Sequence, residues 1–218
     1  PPLSSPVSIM SICDDTFRED IFTMLPPADI CSSMKTTKYW KIPTKKRLSR
    51  KEIHVPKHHS TISSALQEVF GLIRNESPYG IPQIVVGPGE HLLDGGLLLI
   101  NQSNISIRGT VERDSKTGQV TKSLTKIIGR IRIESGVANV HLKDMKICNP
   151  RGAGIFCTGK GTTAYLTNCK ISGCRGNGIY VRQGALCEMN ECNVSNNDST
   201  GIAAWDPKTT LTIKDTDI

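Results

Sequence analysis

The chain has 218 residues, which is enough for one sizeable hydrophobic core or two small ones. Aromatic residues make up only 5% of it, so aliphatic side chains must fill most of any core. No apolar run reaches the length of a membrane-spanning helix, so no membrane partner is predicted. The net charge of +7 is unevenly spread, because residues 41–59 hold seven Lys or Arg and one Glu.

The N-terminal part of the sequence is helical in pattern. Residues 1–13 are predicted to be a tail, and residues 14–42 a small helical segment. Apolar residues recur at helical spacing as far as Leu25, where two prolines end the first helix. Asp29 is suited to cap a second helix. From the residue types alone, this segment is a helical cap packed on the next domain.

The stretch Phe17–Cys31, followed by Tyr39 and Trp40, resembles an F-box, the helical motif with which ubiquitin-ligase receptors bind a Skp1-like adaptor. In that family a helix ends in Leu-Pro and is followed by Asp-Leu-Cys and, further on, a Trp. The Leu-Pro-x-Glu opening of the family is replaced here by Cys13-Asp-Asp-Thr16. The resemblance implies five adaptor contacts, namely Ile21, Leu25, Pro26, Ile30 and Trp40.

Residues 43–59 are predicted to be a basic linker, with nuclear localisation or an acidic partner as alternative interpretations. Residues 60–75 follow as a helix capped by Ser60 or Thr61. Its apolar face consists of Ile62, Ala65, Leu66, Val69 and Ile73. A strand that ends in a tight turn is predicted within residues 82–91.

Three motifs in this region resemble the opening of pectin-lyase-like right-handed β-helices. They are Val-Pro at 55–56, Thr-Ile-x-x-Ala-Leu at 61–66 and Val-Val-Gly-Pro-Gly at 85–89. In that fold an amphipathic helix covers the first coil, so the resemblance implies a β-helix over residues 60–218 with 60–75 as its capping helix. F-box receptors that carry right-handed β-helices are a known pairing, so the two resemblances support each other.

The next strands are predicted at 97–100, 105–107 and 126–133. The polar stretch 111–120 lengthens one coil as a surface loop, and such insertions on solenoids often carry recognition.

From Val140 to Ile218 one apolar pattern occurs four times, at offsets of 24, 23 and 24 residues. Its members are Val140/Leu142/Met145/Ile147, Ala164/Leu166/Cys169/Ile171, Cys187/Met189/Cys192/Val194 and Leu211/Ile213/Thr216/Ile218. A second motif, which starts with Gly-Ile, begins at Gly154, Gly178 and Gly201. Alternation with period two indicates strands, and a fixed short period indicates stacked units. The predicted fold is an all-β solenoid, a right-handed parallel β-helix.

The alignment of the repeats also predicts which cysteines point into the core. Four of the eight lie in inward columns, where most other coils carry apolar residues: Cys157, Cys169, Cys187 and Cys192. They are interpreted as buried thiols that pack as small hydrophobic groups. Cys174 falls at a corner opposite Pro150 and Asn197, so the cysteines do not converge as zinc requires. No metal or other cofactor is predicted, and unpaired thiols favour an intracellular protein of the cytoplasm and/or nucleus.

The same alignment predicts which side chains point outward. Phe156 and Tyr180 share one column, and Arg182 and Trp205 share the next, so all four lie on one outer sheet face. Exposed aromatic residues beside an arginine suit a protein, a peptide or a sugar as partner. The alternative is packing under a neighbouring loop or under the N-terminal helices.

A second column, Asp144, Asn168, Glu191 and Asp215, lies at a corner of the predicted coils. It is interpreted as a hydrogen-bonded ladder. Binding of Ca²⁺ or of a glycan, and general acid–base catalysis, are the alternatives.

Three functions remain open at the level of sequence. The first is a non-catalytic protein-binding module, the substrate receptor of a Skp1/cullin-type ubiquitin ligase. The second is an assembly scaffold of a larger complex or particle, whose strand-rich coil at Ile218 stacks on itself or on a neighbour. The third is a carbohydrate-binding or polysaccharide-degrading β-helix. Residues 60–218 contain no polygalacturonase or pectate-lyase signature, so no catalytic residue is predicted; no nucleic-acid partner is predicted either.

Overall fold

The computed structural model describes residues 52–74 and 83–218 of the chain. The F-box-like segment, with Ile21, Leu25, Pro26, Ile30 and Trp40, lies outside these residues.

The described residues form one helix, α1 (Ile62–Arg74), and seventeen strands. The strands are β1 (Glu52–Val55), β2 (Gln83–Val86), β3 (Gly89–Ile100), β4 (Ile105–Arg108), β5 (Val111–Arg113), β6 (Val120–Ser123), β7 (Thr125–Ile133), β8 (Val140–Lys143), β9 (Lys146–Cys148), β10 (Ile155–Thr158), β11 (Thr163–Thr167), β12 (Lys170–Ser172), β13 (Ile179–Arg182), β14 (Leu186–Asn190), β15 (Asn193–Ser195), β16 (Ile202–Trp205) and β17 (Thr210–Lys214).

Two parallel sheets run along the solenoid. One has the order β1-β2-β4-β8-β11-β14-β17, and the other has the order β15-β12-β9-β7-β10-β13-β16, with β3 also paired to β7. Strand β7 belongs to two faces, because Lys126–Ile128 pair with β9 and Ile131–Ile133 pair with β10. Each coil therefore has three faces: the first is the seven-stranded sheet, the second contains β9, β12 and β15, and the third contains β10, β13 and β16.

The register confirms the predicted repeat. Ala164 pairs with both Val140 and Cys187, and Cys187 pairs in turn with Leu211. The Gly-Ile motifs stack in the same way, with Ile155 opposite Ile179 and Ile179 opposite Ile202. One coil therefore lies on the next with the apolar positions in line, and the core is a single tube of buried Ile, Val, Leu, Met and Cys side chains.

Helix α1 covers one end of this tube, as predicted. Ile62, Ala65, Leu66 and Val69 are buried in the same core as the strands. Thr61 is the N-cap, because its Oγ1 accepts a hydrogen bond of 3.1 Å from the Ser64 backbone N–H. No helix in the described part of the chain has the length and apolar character to cross a membrane.

Two regions differ in detail from the sequence analysis. The range predicted as a basic linker contains β1, whose parallel pairing with β2 adds a strand to the first face before α1 begins. The predicted polar loop is an antiparallel hairpin of β5 and β6 that projects between β4 and β7. It is attached to the solenoid by Arg113, whose Nη2 lies 3.6 Å from the buried carboxylate of Asp144.

Candidate functional site

The third face brings the four predicted partner residues together. Phe156 is paired with Tyr180, and Arg182 is paired with Trp205 on the next strand. The ring centroids of Phe156 and Tyr180 are 5.3 Å apart, and Trp205 is 63% exposed. The alternative interpretation, packing under a loop, does not hold for Trp205.

Two arginines extend this surface toward the N-terminal coils. Arg132 pairs with Phe156 across the strands, and Arg130 lies two residues before it on the same outer surface of β7. The guanidinium carbons of Arg132 and Arg182 lie 5.4 and 5.3 Å from the Phe156 ring centroid, a cation–π geometry on both sides. We call the six side chains together the platform: Arg130, Arg132, Phe156, Tyr180, Arg182 and Trp205.

The arginines of the platform differ in how their charge is matched. Arg132 has its Nε 2.8 Å from the carboxylate of Glu134. Within residues 52–74 and 83–218, Arg130 and Arg182 have no carboxylate at ion-pair distance. The Nε atoms of all three platform arginines, and of Arg108 on the first face, are buried without a well-aligned hydrogen-bond acceptor, so the ion pair with Glu134 is what sets Arg132 apart. The platform therefore carries two guanidinium groups whose charge the described chain does not neutralise.

A notch adjoins the platform at the corner between the second and third faces. Here β7 turns with one residue, Gly129, whereas β3 uses four residues between Leu92 and Leu97 and the next coil uses 149–154. The short corner between two longer ones leaves a cavity of about 240 Å³, lined mainly by Leu92, Ile128, Pro150 and Arg151. Leu92 is 73% exposed, so the notch opens to solvent with an apolar wall.

Glycine is required at the floor of this notch. Gly129 has φ of +134°, and a Cβ there would lie 2.8 Å from the Gly96 carbonyl oxygen and 3.0 Å from the Leu93 Cβ. The sequence analysis missed the notch, Arg130 and Arg132, because the hairpin insertion interrupts the repeat before β7. The signal that could have found them is Gly129 itself, a lone glycine between two alternating apolar runs.

The acidic column lies at a corner of the stacked coils, and the hydrogen bonding expected of a ladder is present at one step, between Asn168 and Asp144. Asp144, Asn168, Glu191 and Asp215 all have positive φ, between 44° and 60°. The Asn168 amide donates a 2.7 Å hydrogen bond to Asp144 Oδ1, and Asp144 is 2% exposed. Since Asp144 is buried and hydrogen-bonded, it does not form an exposed carboxylate pair with Glu191. In the described ranges, no three His, Cys, Asp or Glu side chains lie close enough together to hold a metal ion.

The four inward cysteines are buried, as predicted. Asn193 N donates to Cys169 O at 2.9 Å, which puts Cys169 and Cys192 on successive coils. The hydrogen bond between the two thiols, together with burial, raises the pKa of Cys169 well above its usual value, and the same bond lowers the pKa of Cys192 to about 7. The pKa of Cys187 is also raised, mainly by its hydrogen bond with Cys157 and secondly by burial.

The position assigned to Cys174 was wrong by one residue. Arg175 N donates to Asn149 O, and Asp198 N donates to Cys174 O, so Cys174 stacks on Asn149 rather than on Pro150. It is fully buried, and burial raises the pKa of its thiol. The chain has one residue more between Ile171 and Cys174 than between Ile147 and Asn149, and this shifted the sequence alignment at Cys174.

Comparison with known proteins bears on the fold. Residues 153–218 match the family model described as a right handed beta helix region. No curated protein and no solved structure matches the chain. The matched residues include β10 to β17, and the parallel strands continue in register from them to β1. The chain therefore has the fold of an all-β solenoid, a right-handed parallel β-helix with α1 as its capping helix.

Proposed function

We propose that this β-helix is a non-catalytic protein-binding module, and that the chain is the substrate receptor of a Skp1/cullin-type ubiquitin ligase. The observation that supports binding is the platform, where Phe156, Tyr180, Arg182 and Trp205 lie in register on one outer face. Aromatic and arginine side chains dominate the energetics of protein interfaces. A rigid sheet also holds them in place before the partner arrives, which lowers the entropic cost of binding.

The adaptor end of the proposal rests on the F-box-like segment. The motif resemblance assigns the adaptor contacts to Ile21, Leu25, Pro26, Ile30 and Trp40. A receptor of this type works beside the ligase in the cytoplasm and/or nucleus. The β-helix recognises the substrate, and the ligase supplies the chemistry, so the receptor needs no catalytic residue of its own.

The adaptor assignment is tested by co-purification of the full chain with a Skp1-like adaptor. Leu25→Asp and Ile30→Asp each put a charge where the resemblance implies an apolar contact, so we expect both to abolish co-purification. Thr37→Asp changes a polar position of the same segment and is the matched control. Adaptor binding that survives both apolar-to-charged changes would contradict the receptor assignment.

The partner face is tested separately, by placing a photo-crosslinking amino acid at Tyr180 in the full chain. We expect protein adducts at this position that disappear when Arg182→Gln and Trp205→Ala are added. Tyr165, which stacks on His141 on the first face, is the control position. Equal crosslinking from positions 165 and 180 would show that the platform has no special role.

A further inference from the structure

Arg130 and Arg182 are positively charged side chains of the platform that have no carboxylate partner in the described part of the chain. A guanidinium group has five N–H donors, and a buried donor without an acceptor costs free energy. Arg132 lies two residues from Arg130 on β7 and two strands from Arg182. It has a carboxylate from Glu134, whereas Arg130 and Arg182 have none at ion-pair distance in the described ranges. A ligand that carries hydrogen-bond acceptors would supply the partners that the described chain does not give these two groups.

Both guanidinium groups are held in place before any ligand binds. Arg182 lies over the Phe156 ring. Arg130 lies against the backbone of Gly152, where a Cβ would be only 2.6 Å from its Nη2 atom. Gly152 thus makes room for Arg130, and a side chain at that position would displace the guanidinium. A charged group that is already ordered loses less entropy on binding, so it selects bidentate acceptors such as carboxylates.

The notch beside Arg130 adds an apolar requirement. Its volume of about 240 Å³ is below the range of small-molecule pockets, which suits one side chain better than a whole ligand. Leu92, Ile128 and Pro150 supply apolar walls, and the Arg151 side chain lies at the rim. An aliphatic side chain next to an acidic group fits this surface.

The charges around the platform select against a nucleic acid. Glu134 lies on the same face beside Arg132, and Asp206 follows Trp205. These carboxylates make the charge of the face discontinuous, which suits two separate ligand carboxylates better than a continuous phosphate backbone. The Cα atoms of Arg130 and Arg182 are two coils and four strand positions apart, about 16 Å, which about five extended residues span.

We propose that the platform and the notch bind an extended acidic segment of the partner protein, with one aliphatic side chain in the notch and carboxylates on Arg130 and Arg182. This inference rests on the proposed binding function and names the chemistry of its substrate. The aliphatic residue precedes or follows the acidic residues by a few positions, since the notch lies at the Arg130 end of the platform.

Fluorescence anisotropy on the full chain tests this chemistry with defined probes. The probes are twelve-residue labelled peptides that carry one Leu followed, or preceded, by three Glu spread over about six residues, so that the outer two can reach Arg130 and Arg182. The same peptides with Gln for Glu, the peptides with Ala for Leu, and a twelve-nucleotide oligo-dT are the comparisons. We expect one Leu/Glu peptide to bind, and replacement of its Glu residues by Gln to weaken binding by about tenfold or more.

The protein variants locate the site. Arg130→Gln and Arg182→Gln should each lower the affinity for the acidic peptide by about tenfold. Arg182→Lys should give an intermediate affinity, because lysine keeps the positive charge but cannot make the two parallel hydrogen bonds of a guanidinium group. Leu92→Ser should reduce the preference for Leu over Ala in the peptide. Arg108→Gln, on the first face and paired with Glu52, is the matched control and should change affinity less than about twofold.

Three results would overturn the inference: equal binding of the Gln and Glu peptides, unchanged affinity of Arg130→Gln and Arg182→Gln, or oligo-dT binding that exceeds peptide binding. Loss through Arg108→Gln as well as through the platform variants would indicate non-specific attraction of anions. If Tyr180 crosslinks to a partner protein but the acidic peptides do not bind, the proposed binding function is retained and only the acidic chemistry of the ligand is rejected.

Discussion

A single residue, Gly129, sets the shape of the notch. Replacement of glycine by alanine should destabilise the protein at Gly129 and stabilise it at Gly71 in α1. Gly129→Ala forces an L-residue to φ of +134° and presses its Cβ on the Gly96 carbonyl, so we expect a loss of about 2–4 kcal/mol in the free energy of unfolding. Gly71 lies in α1 with open space around its Cβ direction, and Gly71→Ala should stabilise by about 0.5–1 kcal/mol. Urea unfolding of the two variants measures both signs.

The buried thiols predict a dependence of stability on pH. The pKa values of Cys169 and Cys187 are raised in the folded state, so these thiols stay protonated there while those of the unfolded chain ionise near the usual value of 9.0. Their stabilising contribution is complete below pH 9 and is lost as pH rises above it, by about 1.4 kcal/mol per pH unit for each thiol. Cys192 ionises near pH 7 in the folded state, so its contribution is constant above pH 9.

Cys187→Ala isolates one of these thiols. Ala164 already occupies the paired position on the neighbouring strand, so the coil geometry accepts the change. Between pH 9 and pH 10.5, thermal unfolding of this variant should show a slope against pH that is shallower than that of the parent chain. Parallel slopes would mean that Cys187 ionises in the folded state as readily as in the unfolded chain.

At the scale of the element, α1 is held by its buried face. Leu66 is 2% exposed against the first coils, so Leu66→Ala should lower the free energy of unfolding by about 2–4 kcal/mol. Gln67, the next residue, is exposed, and Gln67→Ala should change stability by less than about 0.5 kcal/mol. Denaturant unfolding of the two variants compares them, and a small effect of Leu66→Ala would mean that α1 contributes little to the solenoid.

The strands show why some elements are predictable and others are not. From Val140 onward each coil repeats the same apolar spacing, so the register from β8 to β17 followed from aligning the sequence with itself. The coils before the hairpin share no such repeat, and the passage of β7 through a corner at Gly129 has no counterpart among the later coils. Strand β1 lies in a charged stretch, where two buried positions, Ile53 and Val55, are too few to show a period.

The residues of the candidate site likewise divide into those inside the sequence repeat, which were predicted, and those outside it, which were not. Phe156, Tyr180, Arg182 and Trp205 could be assigned to one face because they lie inside the repeat. Arg130 and Arg132 lie outside it, and their charge matching depends on side-chain positions that spacing does not encode. The identity of a partner requires that charge pattern, which is why the sequence predicted a protein-binding face but not the chemistry of its ligand.

At the scale of the whole molecule, stability should vary along the axis of the solenoid. Each coil contacts only its neighbours, so a strand with a neighbour on both sides is held more strongly than one with a neighbour on one side. Ile155, Ile179 and Ile202 occupy one inward column; Ile179 is fully buried between β10 and β16, whereas Ile202 on β16 is only partly buried.

The same substitution in two coils therefore measures this gradient. We expect Ile179→Ala to cost about 3–5 kcal/mol and Ile202→Ala to cost about 1–2 kcal/mol, because less surface is removed from contact at the second position. In a polypeptide limited to these 218 residues, native-state hydrogen exchange should show the backbone amides of β16 and β17 exchanging faster than those of β10 and β13, which have a paired strand on both sides. If the two variants lose equal stability and all four strands exchange at the same rate, the solenoid unfolds as one cooperative unit. Local unfolding around Trp205 would then always include the coil that carries Arg130.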